Sequence, residues 1–436
     1  MSELATRYKR GCPLRSSHGF AWWKVWSPSQ TNEAVQQFVA VEMAGMGVEF
    51  GRSARGLWSL REDAFFLNHG SYGACPLVVQ REQDRIRGEM EFQPDEFIYA
   101  NITPKEVPTP LRAIAGQLGD FVGVAGDQVA LVENATVGVQ SVLNSCALSP
   151  GDEILMTDHQ YNAVRLAVEA RCREAGAIPR VAHIPLPATA DEVRTLIREA
   201  TNPRVKLAII DHITSPSALT FPIADIIADL HERGVRVLVD GAHAIGQIPL
   251  SVAELDPDWY VTNMHKWLFA PKGSAMLYAS DRTKAMTQPP IVGHFIEMGF
   301  PRSFDYLGTR DYSGWLALPA AIRFFEELGR ERLWRHNARL VAEASEQLIG
   351  LGAQPTGPLD MCAAMRAFVL PQVREARAED AMNLKRSLWE EGRIQVNSAV
   401  LAGSLIIRIS AQAYVDETEL LALSAQLERR GWPGRG

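Results

Sequence analysis

Residues 237–243 read Val-Leu-Val-Asp-Gly-Ala-His, and residues 258–267 read Asp-Trp-Tyr-Val-Thr-Asn-Met-His-Lys-Trp. Each segment runs from apolar, strand-forming residues into polar groups, with Asp240 in the first segment and Lys266 in the second. Ligands of open α/β sheets bind outside the carboxyl ends of the strands. We therefore expect the Asp240 carboxylate and the Lys266 amine to face one common site.

A carboxylate and a lysine at two strand ends are what pyridoxal phosphate (PLP) requires. The lysine forms a Schiff base with the coenzyme aldehyde, and the carboxylate keeps the pyridine nitrogen protonated so that the ring withdraws electrons. Residues 261–270 contain no formal charge besides Lys266, which favours a desolvated and nucleophilic amine. Taken alone, Asp240 could equally be a helix N-cap and Lys266 a solvated surface lysine.

The composition narrows the class of protein. The chain has 436 residues, 47% hydrophobic and 22% charged, with a net charge of −7, so it offers no electrostatic reason to expect nucleic acid or an anionic membrane as partner. No apolar run approaches the roughly 20 residues of a membrane span.

The five cysteines form no CxxC pair, which argues against a metal site or a disulfide framework and favours the cytoplasm. They are Cys12, Cys75, Cys146, Cys172 and Cys362.

Strand and helix signals alternate from about residue 128, which predicts an α/β domain with a mostly parallel sheet. The predicted strands are Gln128–Val132, Glu153–Thr157, Val181–Ile184, Val205–His212, Val235–Val239, Trp259–Asn263 and Ser274–Tyr278. The predicted helices between them are Thr136–Ala147, Tyr161–Glu174, Asp191–Glu199 and Ile223–Arg233.

The pattern divides the chain into three parts. Residues 1–58 have little periodicity and form an N-terminal extension, either a partly ordered arm or an arm that packs on a partner subunit or over the site. Residues 59–315 form the large domain, whose N-terminal segment contributes to the small domain. Residues 316–436 form a smaller α+β domain, with a long helical region, strands at Met365–Leu370, Ile394–Val396 and Leu405–Ser410, and helices at Asp380–Glu391 and Glu417–Arg429.

Three more polar segments follow predicted strands. Asn134, Ala135 and Thr136 begin a helix whose free N–H groups can hold a phosphate, although a simple N-cap explains them as well. Tyr161 can stack on a planar coenzyme or belong to the core. The turn that contains Ser215 can hydrogen bond to a ring hydroxyl or to substrate, or serve only as a turn.

Together these residues resemble the isopenicillin N epimerase-like branch of the class V aminotransferases, within the fold-type I PLP enzymes that include the cysteine desulfurases. The similarity covers roughly residues 60–430. It rests on the motifs Leu67–Gly73, Asp158–Tyr161, Val239–His243, His265–Trp267 and Gly308–Asp311. The resemblance implies a large domain with a mostly parallel seven-stranded sheet between helices, followed by a smaller C-terminal α+β domain.

The resemblance also implies roles for individual residues. Lys266 is the catalytic lysine, and Arg408 clamps the substrate carboxylate, with Asn68 and His69 at the mouth of the site. Thr309 reaches the phosphate of a partner subunit, so the enzyme is a homodimer with composite sites. The remaining coenzyme-binding residues are Ala135, Thr136, Tyr161, Ser215, Asp240, His243, Asn263 and His265.

The reaction at the α-carbon of the amino-acid substrate stays open at this stage. We favour a C–S lyase that eliminates sulfur from a cysteine-derived conjugate in specialised metabolism. Epimerisation, decarboxylation with oxidative deamination, and transamination are the alternatives, and a degenerate binding fold is a further one. The loop 293–300 departs from the usual glycine- and tryptophan-rich sequence, so the substrate does not transfer from the family. Cys362 lies 46 residues before Arg408, which argues against a desulfurase that passes on a persulfide.

Overall fold

A computed structural model of the chain describes residues 48–105, 107–372 and 374–430. These residues belong to one compact unit that begins at Val48. The predicted arm at residues 1–47, with its possible packing on a partner or over the site, lies outside the described residues. The end of the predicted extension is part of the compact unit, where Arg52–Leu57 form a 3-10 helix and Trp58 is buried.

Strands and helices alternate from Val129 to Asn263, as the sequence predicts. The strands of the described residues are β1 (Phe65–Phe66), β2 (Val129–Val132), β3 (Glu153–Thr157), β4 (Ile178–Ala182), β5 (Val205–Asp211), β6 (Arg236–Asp240), β7 (Trp259–Asn263), β8 (Ala275–Ala279), β9 (Gln354–Pro355), β10 (Met365–Val369), β11 (Ile394–Gln395), β12 (Asn397–Leu401) and β13 (Ser404–Ser410).

The α-helices cover the faces of the sheets. Those of the described residues are α1 (His69–Tyr72), α2 (Leu77–Phe92), α3 (Pro94–Asn101), α4 (Pro110–Val122), α5 (Ala135–Ser145), α6 (Asn162–Ala175), α7 (Ala190–Ala200), α8 (Ile223–His231), α9 (Val252–Leu255), α10 (Ser313–Leu316), α11 (Leu318–Leu328), α12 (Arg330–Gly350), α13 (Ala378–Gly392) and α14 (Glu417–Arg429). None of these helices is both long enough and apolar enough to span a bilayer.

The central sheet of the described residues has seven strands in the order β2-β8-β7-β6-β5-β3-β4. Only β8 runs antiparallel to its neighbours, so the prediction of a mostly parallel sheet between helices is confirmed. The inner strands are buried on both faces, as in the run Leu207–Ile210 of β5, because helices cover both sides of such a sheet. The strand β4 lies at an edge, where Pro179 is tolerated since its missing N–H faces no partner strand.

The C-terminal region has the α+β architecture that the sequence predicts. Its sheet has the antiparallel order β12-β13-β10-β9. Helices α12 and α13 pack against this sheet, and α14 packs against these two helices. The short strand β1 pairs in parallel with β11, so a segment that precedes the central sheet joins the C-terminal region. The predicted long helical region is interrupted at Gly329, whose φ of 82° ends α11 before α12 begins.

The parallel register determines where polar side chains meet. Asp211 at the end of β5 pairs with Asp240 at the end of β6, and Asp240 pairs with Val261 of β7. The carboxyl ends of β5, β6 and β7 therefore lie at one edge of the sheet. The loops that follow these strands carry the polar segments recognised in the sequence.

Candidate active site

A cavity of about 610 Å³ opens at the carboxyl ends of the central strands. It lies among loops that follow β2, β3, β5, β6 and β7, and also contacts α1. Nine of the ten residues predicted to bind the coenzyme line it. They are Ala135, Thr136, Tyr161, Ser215, Asp240, His243, Asn263, His265 and Lys266.

Lys266 lies in the turn after β7, and its side chain points into the cavity. Its Nζ lies 3.2 Å from Nε2 of His243. Burial and, to a lesser extent, the positive charge of Arg408 lower the pKa of Lys266 to about 7, while the charge of Asp240 opposes the shift. A large fraction of this amine is therefore neutral near pH 7, the form that attacks an aldehyde or accepts a proton.

His243 is buried and uncharged. Burial is the main cause of its strongly lowered pKa, and the nearby charges of Lys266 and Arg408 add to it. Its other ring nitrogen, Nδ1, accepts a hydrogen bond of 3.4 Å from the Trp267 indole. This indole N–H holds the imidazole in the orientation that presents Nε2 to Lys266.

Asp240 is 2% exposed, and one carboxylate oxygen accepts a 3.1 Å hydrogen bond from the backbone N–H of Ala242. Burial raises its pKa, although Ala242 and Lys266 act in the opposite direction. A buried carboxylate of this kind is stabilised by a cationic N–H partner. A protonated pyridine ring supplies such a partner.

The first turn of α5 faces the same cavity. The backbone N–H of Ala135 donates to Oδ1 of Asn263 at 2.8 Å, and Asn134 caps the helix by accepting from Val137. This hydrogen bond joins Ala135 to Asn263. The backbone N–H groups around Thr136 therefore remain available to bind an anion. A helix N-terminus is a favourable place for a phosphate.

Two further groups surround this anion site. Nδ1 of His265 lies 3.2 Å from the backbone oxygen of Ser274, so the ring must be protonated if Nε2 is also to donate to a phosphate. Burial lowers the pKa of His265 to about 4, and a bound phosphate would act against that shift. Lys272 also lines the cavity. It was missed in the sequence because it stands outside the recognised motifs.

Arg408 of β13 is fully buried beside the cavity and has no carboxylate partner among the described residues. Its guanidinium donates to the backbone oxygen of Ser215 at 2.5 Å and to Oγ of Ser71 at 3.2 Å, with Oδ1 of Asn68 at 3.5 Å. Burial lowers the pKa of Arg408 to about 10, so the cation persists at neutral pH. A buried guanidinium held only by neutral groups can bind a carboxylate.

The structure corrects the expected position of His69. We expected it at the mouth of the site, but its ring is fully buried and outside the cavity lining. Its Nδ1 lies 2.7 Å from the Tyr414 hydroxyl, and its Nε2 lies 2.9 Å from the backbone oxygen of Lys266. Both nitrogens are therefore occupied, and His69 supports the loop of Lys266 instead of touching substrate.

Tyr161 and Thr309 differ in their relation to the cavity. Tyr161 precedes α6, lines the cavity and is half exposed, which leaves one ring face free for a planar ligand. Thr309 is exposed and does not line this cavity. The Thr309 hydroxyl lies 3.4 Å from that of Tyr306.

The residues present fit PLP. The cavity combines a nucleophilic lysine, a buried carboxylate in need of a cationic N–H, an aromatic side chain and a helix N-terminus with nearby basic groups. PLP carries an aldehyde, a pyridine ring and a phosphate, and each of these meets a matching group. The Asp211 carboxyl group also lines the cavity. It was missed although it ends a strand in the same way as Asp240.

Comparisons with known proteins agree with this site. The chain is 32% identical over 355 residues to the putative L-cysteine desulfhydrase 1 of Oryza sativa subsp. japonica, which covers 76% of this chain and 72% of that protein. It is 30% identical over 407 residues to the isopenicillin N epimerase of Streptomyces clavuligerus, covering 88% and 99%. A solved structure of a C-DES mutant, with glycine covalently linked to its PLP cofactor, shares the fold with a TM-score of 0.73 at 22% identity, covering 86% of this chain and 98% of that one.

The model of the aminotransferase class-V family matches residues 106–420, which is well over half of the chain. This span includes the strand ends that surround the cavity, together with Lys266 and Arg408. The chain therefore belongs to the class V aminotransferase family of PLP-dependent enzymes.

Proposed function

We propose that the protein is a C–S lyase that removes sulfur from the β-carbon of a cysteine-derived amino acid. The observation that carries the proposal is the arrangement of Lys266 and Arg408 around one cavity. A buried amine that is easily neutral lies beside a buried guanidinium that lacks a carboxylate partner among the described residues. The similarity to L-cysteine desulfhydrases supports sulfur as the leaving group.

The bound coenzyme supplies an aldehyde that captures the substrate amine and a ring that withdraws electrons from the α-carbon. Arg408 binds the substrate carboxylate through paired hydrogen bonds, which fixes the α-carbon relative to Lys266. Nζ of Lys266 then takes the proton from the α-carbon as a general base. Because Nδ1 of uncharged His243 accepts from the Trp267 indole, its Nε2 carries the proton and donates a hydrogen bond to the same Nζ, which holds the amine in place.

Cysteines do not contribute to the cavity among the described residues, which favours direct release of sulfur over a persulfide relay. Cys362 lies beside Arg366, whose Nη1 is 3.1 Å from its sulfur, in the C-terminal region. Cys75 lines a neighbouring cavity, and burial raises the pKa of its thiol to about 12. Such a thiol is protonated at neutral pH and is a poor nucleophile.

The test uses purified holoenzyme with L-cysteine, L-cystine and S-substituted cysteines. We expect one of them to yield pyruvate and ammonia in equal amounts, together with the sulfur-containing leaving group. Lys266→Ala serves as the inactive control. Exchange of the α-proton in deuterium oxide without any keto acid from these compounds would contradict the lyase proposal.

A second candidate is epimerisation of the α-carbon. It is favoured by the match to isopenicillin N epimerase, which extends over 99% of that protein. Epimerisation needs a proton donor on the face opposite Lys266, and the half-exposed Tyr161 lies at the cavity. Chiral chromatography of the recovered amino acid identifies this reaction. Released carbon dioxide would indicate decarboxylation, and an amino group passed to a keto acid would indicate transamination.

We also propose that the enzyme is a homodimer in which Thr309 binds the phosphate in the partner's site. The side chains of Tyr72, Phe92, Ile291 and Val292 are apolar and exposed, so they are available to an interface with a partner subunit. Subunits carrying Lys266→Ala and subunits carrying Thr309→Asp should each be inactive as homodimers. Co-expressed with different tags, the mixed dimers should regain one intact site, and absence of that activity would contradict shared sites.

The proposed location is the cytoplasm. Cys75, Cys146, Cys172 and Cys362 are free thiols in the described part of the chain, as expected in a reducing compartment. Cell fractionation with an antibody to the protein tests this.

A further inference from the structure

Asp211 and Asp240 form a carboxyl pair at the coenzyme end of the cavity. They are the last residues of the neighbouring strands β5 and β6 and are direct register partners. Side chains at paired positions of parallel strands point to the same side of the sheet. Both carboxyl groups line the cavity, and they are 3% and 2% exposed.

The two carboxyl groups differ in their hydrogen bonds. Asp240 accepts a hydrogen bond from the Ala242 backbone N–H and is influenced by the charge of Lys266. Oδ2 of Asp211 is buried and has no hydrogen-bond partner among the described residues. A protonated carboxyl group avoids the cost of a buried, unsolvated charge and gains a donor.

Two buried carboxyl groups this close cannot both ionise readily. Burial, followed by the charge of Asp240, raises the pKa of Asp211 well above its usual range. Burial also raises the pKa of Asp240, but Ala242 and Lys266 offset part of that effect. The shared proton therefore resides on Asp211.

Several other titratable groups lie around this pair and can exchange protons on coenzyme binding. His212 and Tyr260 lie 2.8 Å apart beside the strand ends, and Arg408 lies behind Ser215. The remaining groups line the cavity and are Tyr72, Glu133, Tyr161, His243, His265, Lys266 and Lys272. A test must therefore compare two proteins that differ only at residue 211.

We propose that Asp211 is a positioning residue that carries a proton beside ionised Asp240 in the coenzyme-free enzyme and releases it when the cationic pyridine ring enters. One O–H bond at Asp211 breaks, and the proton passes to solvent. The ring nitrogen then faces two negative charges, which stabilise its protonated form. This proton release accompanies coenzyme binding and does not depend on the reaction of the substrate. We therefore expect it whether the enzyme catalyses elimination or epimerisation.

The test measures proton release when PLP is added to coenzyme-free wild type and to Asp211→Asn in weak buffer with a pH indicator. We expect wild type to release up to one proton more per site than the variant at pH values above the usual carboxyl range. By linkage, wild-type affinity should rise with pH by up to about tenfold per pH unit relative to the variant. Equal proton counts and parallel affinity profiles would overturn the proposal.

Asp305→Asn is the matched control. Asp305 is another buried carboxyl group, whose pKa burial raises to about 7, but it lies outside the cavity lining beside Arg112. It should release the same number of protons as wild type. If Asp211→Asn does not fold, infrared difference spectra of wild type test the proton release instead. We expect the carbonyl band of a protonated carboxyl group to disappear on coenzyme binding. Persistence of that band would overturn the proposal.

Discussion

Nζ of Lys266 lies 3.2 Å from Nε2 of His243, and the Trp267 indole holds the opposite nitrogen of the same imidazole. The hydrogen bond links the loop after β7 to the loop after β6. Because Nδ1 of uncharged His243 accepts from the indole, Nε2 carries the proton and donates to the neutral amine, so no charge is added beside it. The lysine is thereby held at the strand edge while burial keeps its pKa low.

The low pKa of Lys266 predicts an acid limb in the activity profile. A general base must be unprotonated, and burial places the pKa of this amine at about 7. Turnover of an S-substituted cysteine should fall as the pH drops through that region, approaching a tenfold loss per pH unit. Measuring kcat across this range, with coenzyme occupancy followed by absorbance, checks it. A flat profile with full occupancy would contradict the role of the amine as base.

Replacement of Arg408 by lysine should weaken substrate binding. A guanidinium binds a carboxylate through two parallel hydrogen bonds, whereas an ammonium group is a point charge. We expect kcat/KM of Arg408→Lys to fall by about 10–1000-fold, equivalent to about 1.4–4 kcal/mol. Coenzyme binding should be little changed. Ser71→Ala, which removes one neutral partner of the guanidinium, is the milder control. An unchanged kcat/KM would contradict the assignment of Arg408 as the group that binds the substrate carboxylate.

His69→Ala should act on stability. The change deletes a buried ring and its two hydrogen bonds, to Tyr414 and to the Lys266 backbone. We expect a loss of about 2–4 kcal/mol in the free energy of unfolding, measured by denaturant titration. Tyr414→Phe, which removes only a hydroxyl, should lose less. A large rise in KM with unchanged stability would restore His69 as a substrate ligand.

Asp211→Asn should stabilise the coenzyme-free protein at alkaline pH. The folded pKa of Asp211 is raised above its unfolded value, so the folded state binds more protons and stability falls as pH rises between the two values. The amide cannot ionise and removes this penalty. We expect Tm of the variant to exceed that of wild type at pH 8, by about 1 °C per kcal/mol relieved in a chain of this length, and to converge with it below pH 4. An equal Tm at pH 8 would show that Asp211 is not perturbed.

The sequence predicts most of this fold because the central strands are continuous apolar runs. Only apolar residues occur in the runs Leu207–Ile210 and Val237–Val239. Strands formed by such runs are buried on both faces of the sheet. The strand β4 was predicted three residues too late at its start because an edge strand mixes exposed and buried residues. The strand β12 was missed because it pairs only with β13 on one side and is mostly half-buried.

The candidate site was predictable only in part. Asp240 and Lys266 stand at strand ends within recognisable motifs, so their proximity follows from the topology. His69 also belongs to a motif, yet its ring turns away from the cavity because Tyr414, 345 residues later in the chain, supplies its partner. Contacts of this kind depend on the packing of the C-terminal region, which no local pattern encodes.

The role of Lys266 is tested by identifying the lysine that holds the coenzyme. The holoenzyme is reduced with borohydride, digested and analysed by mass spectrometry, with Lys272→Ala as the control because Lys272 lines the same cavity. We expect the pyridoxyl modification on the peptide containing Lys266, in wild type and in Lys272→Ala, and its loss in Lys266→Ala. Modification of Lys272 in the wild type, or a coloured Lys266→Ala protein that still reduces covalently, would contradict it.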